Sequence, residues 1–151
     1  MTAIFPSNQK PQLRFFAPPV FLIVASFYAY GALVHILNIT SQTGFAWAEA
    51  PLKWRVLDIV YLILDVIVVV GLIRKSWIGI VAFFLAAFSQ IALYTVFRAW
   101  VLNVPKALQR SADDLAYLDG LVAFHVLSCL AMLVATLVDW RVSANQNEIK
   151  N

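Results

Sequence analysis

The sequence predicts an all-α fold, an antiparallel bundle of four transmembrane helices that forms a single membrane domain over residues 1–151. Composition, four long apolar runs and the positions of the tryptophans support this fold class. Of the 151 residues, 62% are hydrophobic and only 13% are charged, whereas an ordinary soluble domain has roughly 45–50% apolar and about 25% charged residues. The composition excludes a disordered chain, a basic nucleic-acid-binding protein and a conventional soluble enzyme.

Each of the four apolar runs reaches or nearly reaches the length that crosses a hydrocarbon core of about 30 Å. An open sheet in lipid would leave backbone amides unpaired, so helices are predicted rather than strands. The predicted spans cover about 15–37, 56–73, 77–97 and 115–138. With short connections these spans occupy nearly the whole chain, which leaves no room for a separate soluble domain.

The tryptophans avoid the middle of every span. This is the distribution expected when indole rings settle at the headgroup level of a bilayer. Two lie at span starts, two lie just past span ends and one lies in a loop; in that order they are Trp54, Trp77, Trp100, Trp140 and Trp47.

The basic residues indicate the orientation. The side that holds the N-terminus, side A, receives Lys10, Arg14, Arg74, Lys75, Arg141 and Lys150, and the other side, side B, receives Lys53, Arg55, Arg98, Lys106 and Arg110. The two totals are nearly even, but short loops obey the positive-inside rule best, and the Arg74–Lys75 turn is very short. We therefore expect a multi-pass protein of the bacterial inner membrane with both termini in the cytoplasm.

Polar side chains within the spans are unevenly distributed. A central Asp such as Asp65 costs about 2.5–3.5 kcal/mol in a membrane, so such groups point to function. At about 1.5 Å per residue, the polar groups fall at mid-membrane or in the half facing side B. We predict a pocket open towards side B above an apolar floor, lined by His35, Asp58, Asp65, Gln90, Tyr94, Arg98 and His125.

Gln90, Tyr94 and Arg98 repeat every fourth residue in the third span and so form a stripe that runs towards side B. The alternative is purely structural, because polar side chains between membrane helices also serve as interhelical hydrogen bonds worth about 0.6–2 kcal/mol each.

The predicted pocket suggests a ligand class. Histidine, carboxylate, tyrosine and arginine at one depth supply hydrogen-bond donors and a proton route, which favours a site that binds or modifies a quinone or a lipid. A b-type haem ligated by His35 and His125 is a further alternative, although these residues differ in depth by about one helical turn. We expect no metal, because the two histidines lack the spacing of a ligand pair and Cys129 lies far from them in depth.

An accessory role is the first prediction for function. The chain has no strong catalytic motif, which leaves enzymatic activity open and leans against it. Small residues allow close helix approach, and they occur at Gly31, Ala32, Gly79, Ala82, Ala86 and Ala87. These residues could bind another helix or pack the bundle internally. We expect the bilayer and another membrane protein or a second copy as partners, with no nucleic acid, as for an accessory subunit of a quinone-linked membrane complex.

Residues 57–87, LDIVYLILDVIVVVGLIRKSWIGIVAFFLAA, resemble the second and third helices of DoxX-like four-helix membrane proteins. In that family an acidic residue precedes a small-residue run that ends in a glycine and a short basic turn, here Gly71 to Lys75. The GALVH segment from Gly31 to His35 is similar to the first helix of some members, whereas the family's glycine-rich second helix is poorly matched. The resemblance implies either a small subunit of a quinone-linked oxidoreductase or an assembly factor for other membrane proteins.

Overall fold

The computed structural model describes residues 17–43, 45–108 and 111–148. The predicted start of the first span at Phe15 lies outside this range, as do the basic residues Lys10, Arg14, Arg110 and Lys150. The described part of the chain forms the helices α1 (Ala17–Ile39), α2 (Leu52–Ile73), α3 (Trp77–Tyr94), α4 (Arg98–Leu102) and α5 (Ala112–Glu148). Short 3-10 turns lie at Trp47–Glu49 and Lys106–Leu108.

Four of the helices are long and apolar enough to cross a membrane, over Pro19–Ile39, Leu52–Ile73, Trp77–Tyr94 and Leu115–Val138. This confirms the predicted all-α bundle of four transmembrane helices. The outer surface is strongly apolar, since more than half of each side chain is exposed at Leu22, Ile23, Ile63, Leu85, Leu127 and Val134. A surface of this kind is stable against lipid and not against water, as expected of a multi-pass membrane protein.

The third span is shorter than predicted, because α3 ends at Tyr94 and not at Phe97. The Thr95 hydroxyl donates to the carbonyl of Ile91 at 2.7 Å, and the amide of Phe97 donates to the carbonyl of Ala92 at 3.0 Å. Side-chain bonds of this kind compete with the regular helical pattern. The chain then starts a new helix at Arg98, so the predicted stripe does not continue past Tyr94.

The second span begins earlier than predicted, at Leu52 instead of Val56. Pro51 precedes it, and its carbonyl accepts hydrogen bonds from the amides of Trp54 and Arg55 at 2.9 and 3.2 Å. Proline suits the start of a helix, because its missing amide would have no partner there. The extra turn carries Lys53 to the carbonyls of Trp100 and Asn103, which ties α2 to the end of α4.

The end of the bundle that holds the Arg74–Lys75 turn is packed tightly around apolar and small residues. A Cβ atom built on Gly71 would lie 2.3 Å from the Cα of Gly79, so the backbones of α2 and α3 are in direct contact there. Next to this contact lies a buried apolar cluster that includes Phe21, Val24, Val68, Leu72, Phe83 and Met132. This cluster forms an apolar floor below the cavity described next.

The small residues of α3 belong to this internal packing. Gly79, Ala82, Ala86 and Ala87 are all buried within the bundle. They let α3 approach its neighbours closely, and they are covered by those neighbours. The small-residue face that suggested a docking site for a partner helix is therefore accounted for by contacts inside the chain.

Candidate functional site

A cavity of about 300 Å³ lies between the helices, in the half of the bundle away from the apolar floor. It extends from Asp65, near the middle of α2, to Thr43 and Phe45 in the loop between α1 and α2. Six of the seven residues expected in the pocket line it, namely His35, Asp58, Asp65, Gln90, Tyr94 and His125. The helices thus bring residues that are far apart in sequence to one space.

One imidazole connects two carboxylates within this cavity. Asp58 and Asp65 are two turns apart on the same face of α2, which separates them by about 10 Å. His35 from α1 lies between them. Its Nδ1 donates to Oδ1 of Asp58 at 2.9 Å, and its Nε2 faces Oδ2 of Asp65 at 3.9 Å. The second distance is too long for a direct hydrogen bond.

The carboxylate of Asp58 has donors on both oxygens. Besides His35, the amide of Asn38 donates to Oδ1 at 2.9 Å, and the indole of Trp47 donates to Oδ2 at 3.1 Å. Trp47 reaches this position from the loop, where its backbone amide donates to the Ser41 hydroxyl at 3.0 Å. A buried carboxylate with this many partners links α1, α2 and the loop as a structural element.

Asp65 is in the opposite situation. It is only 2% exposed, yet its Oδ1 has no hydrogen-bond partner. Its other oxygen lies against Gly31 of α1, where a Cβ atom would be only 2.6 Å away. The hydroxyl of Tyr28, itself 3% exposed, also lacks a partner. Leaving such a buried polar group unpaired costs about 1–3 kcal/mol, and more for a charged group.

His125 completes the deep part of the cavity. Its Nδ1 donates to the carbonyl of Leu121 at 2.7 Å, one turn earlier in α5. This bond assigns the proton to Nδ1 in the neutral ring and leaves Nε2 as an acceptor. The ring stands edge-on to Tyr28, with centroids 6.0 Å apart. Above them, Tyr61 stacks on His35 at 6.0 Å and donates to the hydroxyl of Ser89 at 3.1 Å.

Arg98 does not line the cavity, so this part of the pocket prediction is wrong. Because α3 ends at Tyr94, Arg98 starts α4, and its guanidinium donates to Oδ1 of Asp119 on α5. The hydrogen bond to the Asp119 carboxylate raises the pKa of Arg98 above its ordinary value. The charge of Arg98 is therefore paired with Asp119 at the surface near the loops.

Several residues outside the predicted lining set belong to the cavity or its support. Tyr28, Gly31 and Asn38 share the helical face of His35, so their three- and four-residue spacing was a usable signal. Trp47 had no such signal, because no periodicity relates a loop residue to a particular atom of α2. Its contact with Asp58 depends on the tertiary path of the loop.

The lining determines which ligands the cavity suits. Aromatic rings are frequent in it, and within the described ranges no lysine or arginine lines it. In the same part of the chain, no group of three or more His, Cys, Asp or Glu side chains is arranged to hold a metal ion. Hydrogen-bonding groups in an aromatic, mainly apolar space are suited to the polar head of a small amphiphilic molecule.

The cavity also reaches the outside of the bundle. Phe27 and Tyr30 of α1 and Tyr117 of α5 line it, and each is more than 40% exposed. The cavity therefore has a side that faces the surface between α1 and α5. Phe27 also stacks on Phe124 of α5, with ring centroids 3.6 Å apart, and this contact joins α1 to α5.

Comparison with protein-family models, curated proteins and solved structures finds no match to this chain. The resemblance to DoxX-like proteins therefore stays a prediction.

Proposed function

We propose that this protein binds a lipid-soluble small molecule, with the polar head of the ligand in the cavity and its apolar part directed outwards between α1 and α5. The observation that carries the proposal is that two residues lining a cavity of about 300 Å³, Asp65 and Tyr28, each bury a side-chain oxygen without a hydrogen-bond partner. A ligand head that hydrogen-bonds to these side chains would offset the cost of burying them.

The purely structural alternative explains only half of the polar network. Asp58 has the partners that a structural carboxylate requires. Asp65 does not, although a charged side chain deep in a membrane is costly and normally paired. The contrast between two carboxylates on one helix face favours a binding role for the deeper one.

The route to the cavity supports a ligand that arrives from the membrane. Tyr30 and Tyr117 contribute both to the lining and to the outer surface. A tail that leaves between them would remain in contact with lipid while the head is held inside. Quinones and lipids, the ligand classes expected from the sequence, both have this shape.

The remaining alternatives are weaker on this geometry. Both ring nitrogens of His35 face carboxylates, at 2.9 and 3.9 Å, which leaves neither directed at an open axial position for haem. The accessory role has lost one argument, since the small residues of α3 are buried. A quinone-binding protein can still belong to a quinone-linked membrane complex, so the two roles are compatible.

The test is whether a small molecule purifies with the protein and whether its binding requires the cavity. Protein extracted in a mild detergent is analysed by native mass spectrometry together with two neighbouring variants on α1. Val34 lines the cavity, and Val34→Trp fills part of it; Leu33 is exposed, and Leu33→Trp is the matched control.

We expect a stoichiometric adduct in the wild type and in Leu33→Trp, and its loss in Val34→Trp. An adduct that is equally abundant in all three proteins, or absent from all three after extraction and addition of candidate lipids and quinones, contradicts the proposal. An absorption spectrum of the same samples tests the haem alternative, because a bound b-type haem gives a Soret band.

A further inference from the structure

The described lining of the cavity contains two carboxyl groups and no basic side chain other than histidine. Asp58 and Asp65 line the cavity, and the described lining includes no lysine or arginine to balance them. His35 and His125 are the remaining titratable nitrogen groups of the lining. With both carboxylates ionised, the four groups sum to −2 when both imidazoles are neutral, and to −1 when His35 carries a proton.

Three basic residues of the same half of the bundle lie outside the lining. Lys53 donates to the backbone carbonyls of Trp100 and Asn103, and Arg98 pairs with Asp119. Arg55 lies over the ring of Trp47, with its central carbon 5.9 Å from the centroid, and its Nε is buried without a hydrogen-bond partner.

Asp65 is the group that needs a counter-charge. Its side chain is 2% exposed, and Oδ1 has no partner in the described structure. His35 approaches only the other oxygen, at 3.9 Å. A buried carboxylate is most strongly stabilised by a cation that can also hydrogen-bond or pack closely.

The aromatic residues that line the cavity also favour a cationic ligand head. Tyr28, Trp54, Tyr61 and Tyr94 are among the lining residues. The faces of such rings attract cations, and aromatic side chains beside a carboxylate are the usual surroundings of ammonium ligands in proteins. A phosphate or sulfate head would find no cation of the described lining to pair with.

We propose that the ligand of this cavity is an amphiphile with a positively charged amine or quaternary ammonium head, which Asp65 and the surrounding aromatic rings bind. This inference rests on the proposed binding function and names its ligand class. Neutral quinones and anionic lipids are the two competing classes, and the experiment below separates them.

The experiment compares three probes with the same decyl tail and different heads: trimethylammonium, hydroxyl and sulfate. The protein is kept in dodecyl maltoside, an uncharged detergent, and each probe is titrated while tryptophan emission is recorded. Trp54 lies in the lining and contributes to the signal. Binding in the cavity is the saturable component that Val34→Trp removes.

Two charge variants accompany the wild type. Asp65→Asn removes the proposed counter-charge, whereas Asp119→Asn removes a carboxylate of equal charge outside the cavity. We expect the wild type to bind the trimethylammonium probe about tenfold or more tightly than the hydroxyl probe. This preference should disappear in Asp65→Asn and persist in Asp119→Asn.

The other outcomes are equally decisive. The cationic class is overturned if the hydroxyl probe binds saturably and as tightly as the ammonium probe, or if the sulfate probe binds more tightly. Either result leaves the proposed binding function standing. An ammonium preference that survives in Asp65→Asn also overturns the inference. No saturable component for any probe contradicts both. The comparison of the three heads needs only wild-type protein, so it remains decisive if Asp65→Asn does not fold.

Discussion

His35 donates from Nδ1 to Oδ1 of Asp58 across 2.9 Å, and this bond joins α1 to α2 in the half of the bundle near the loops. Asn38 and Trp47 donate to the same carboxylate. These polar contacts hold α1, α2 and the loop together in this half, as the apolar cluster holds the helices together at the other end. Two different kinds of packing hold the two ends of the bundle together.

We predict that Asp58→Asn destabilises the protein by about 1–3 kcal/mol. An amide has one oxygen instead of two, and its NH2 group would face the donor of Trp47 or of Asn38. Unfolding of the purified protein by heat or by sodium dodecyl sulfate, followed by circular dichroism, measures the change. Glu49→Gln is the control, since Glu49 is an exposed acid in the same loop. Equal stability of the two variants would show that the Asp58 network contributes nothing.

Three glycine-to-alanine substitutions should differ in sign and size. Gly71→Ala places a Cβ atom 2.3 Å from backbone, which cannot yield, so we expect a loss of about 1–3 kcal/mol or more. Gly31→Ala meets the Asp65 carboxylate at 2.6 Å and should cost less, because a side chain can move. Gly120→Ala meets nothing within 4 Å and should stabilise α5 by about 0.5–1 kcal/mol.

The same unfolding assay ranks the three variants. The predicted order of stability is Gly120→Ala, then the wild type, then Gly31→Ala, then Gly71→Ala. If Gly71→Ala were as stable as the wild type, the direct contact between the backbones of α2 and α3 would be incorrect.

The pair formed by Arg98 and Asp119 should contribute little to stability. Both side chains are accessible to water, which weakens the attraction between them. The pKa of Arg98 is raised in the folded protein, so any stabilisation is present below the unfolded pKa and is lost only as the pH rises through the folded one. We therefore expect Arg98→Gln to leave the midpoint of thermal unfolding unchanged from about pH 5 to about pH 9. A clear pH-dependent loss in that interval would place Arg98 in a more important role.

The expected orientation is testable with single cysteines in a Cys129→Ala background. Gln42→Cys lies in the exposed loop near the cavity, and Arg74→Cys lies in the exposed turn at the other end. With both termini in the cytoplasm, a membrane-impermeant maleimide added to intact cells should label Gln42→Cys alone. Arg74→Cys should react only after the membrane is permeabilised. The opposite labelling pattern would reverse the orientation.

The sequence was sufficient for the spans because hydrophobic length is a local property. It also placed Asp65 and Gln90 at one depth, since the rise per residue of a helix is constant, and both line the cavity. Arg98 was misplaced for a related reason: depth and face were counted along a helix assumed to be continuous. Helix α3 ends at Tyr94, and no pattern in the apolar run indicates this end.

The difference between the two carboxylates could not be predicted either. Asp58 and Asp65 share a residue type and a helix face and differ in depth, but the path of the loop decides that Trp47 reaches Asp58. The close approach of Gly31 to Asp65 likewise depends on how α1 crosses α2. These are tertiary contacts, which helical periodicity does not predict.

Helix α5 continues to Glu148, whereas its apolar span ends at Val138. At 1.5 Å per residue the extension projects about 15 Å from the end of the bundle opposite the cavity. A rigid protein scaffold fused to this helix would therefore turn with the bundle and leave the end that holds the cavity untouched. For a particle of 16.9 kDa that is mostly enclosed by detergent, such a fiducial would make image alignment in electron cryomicroscopy practicable.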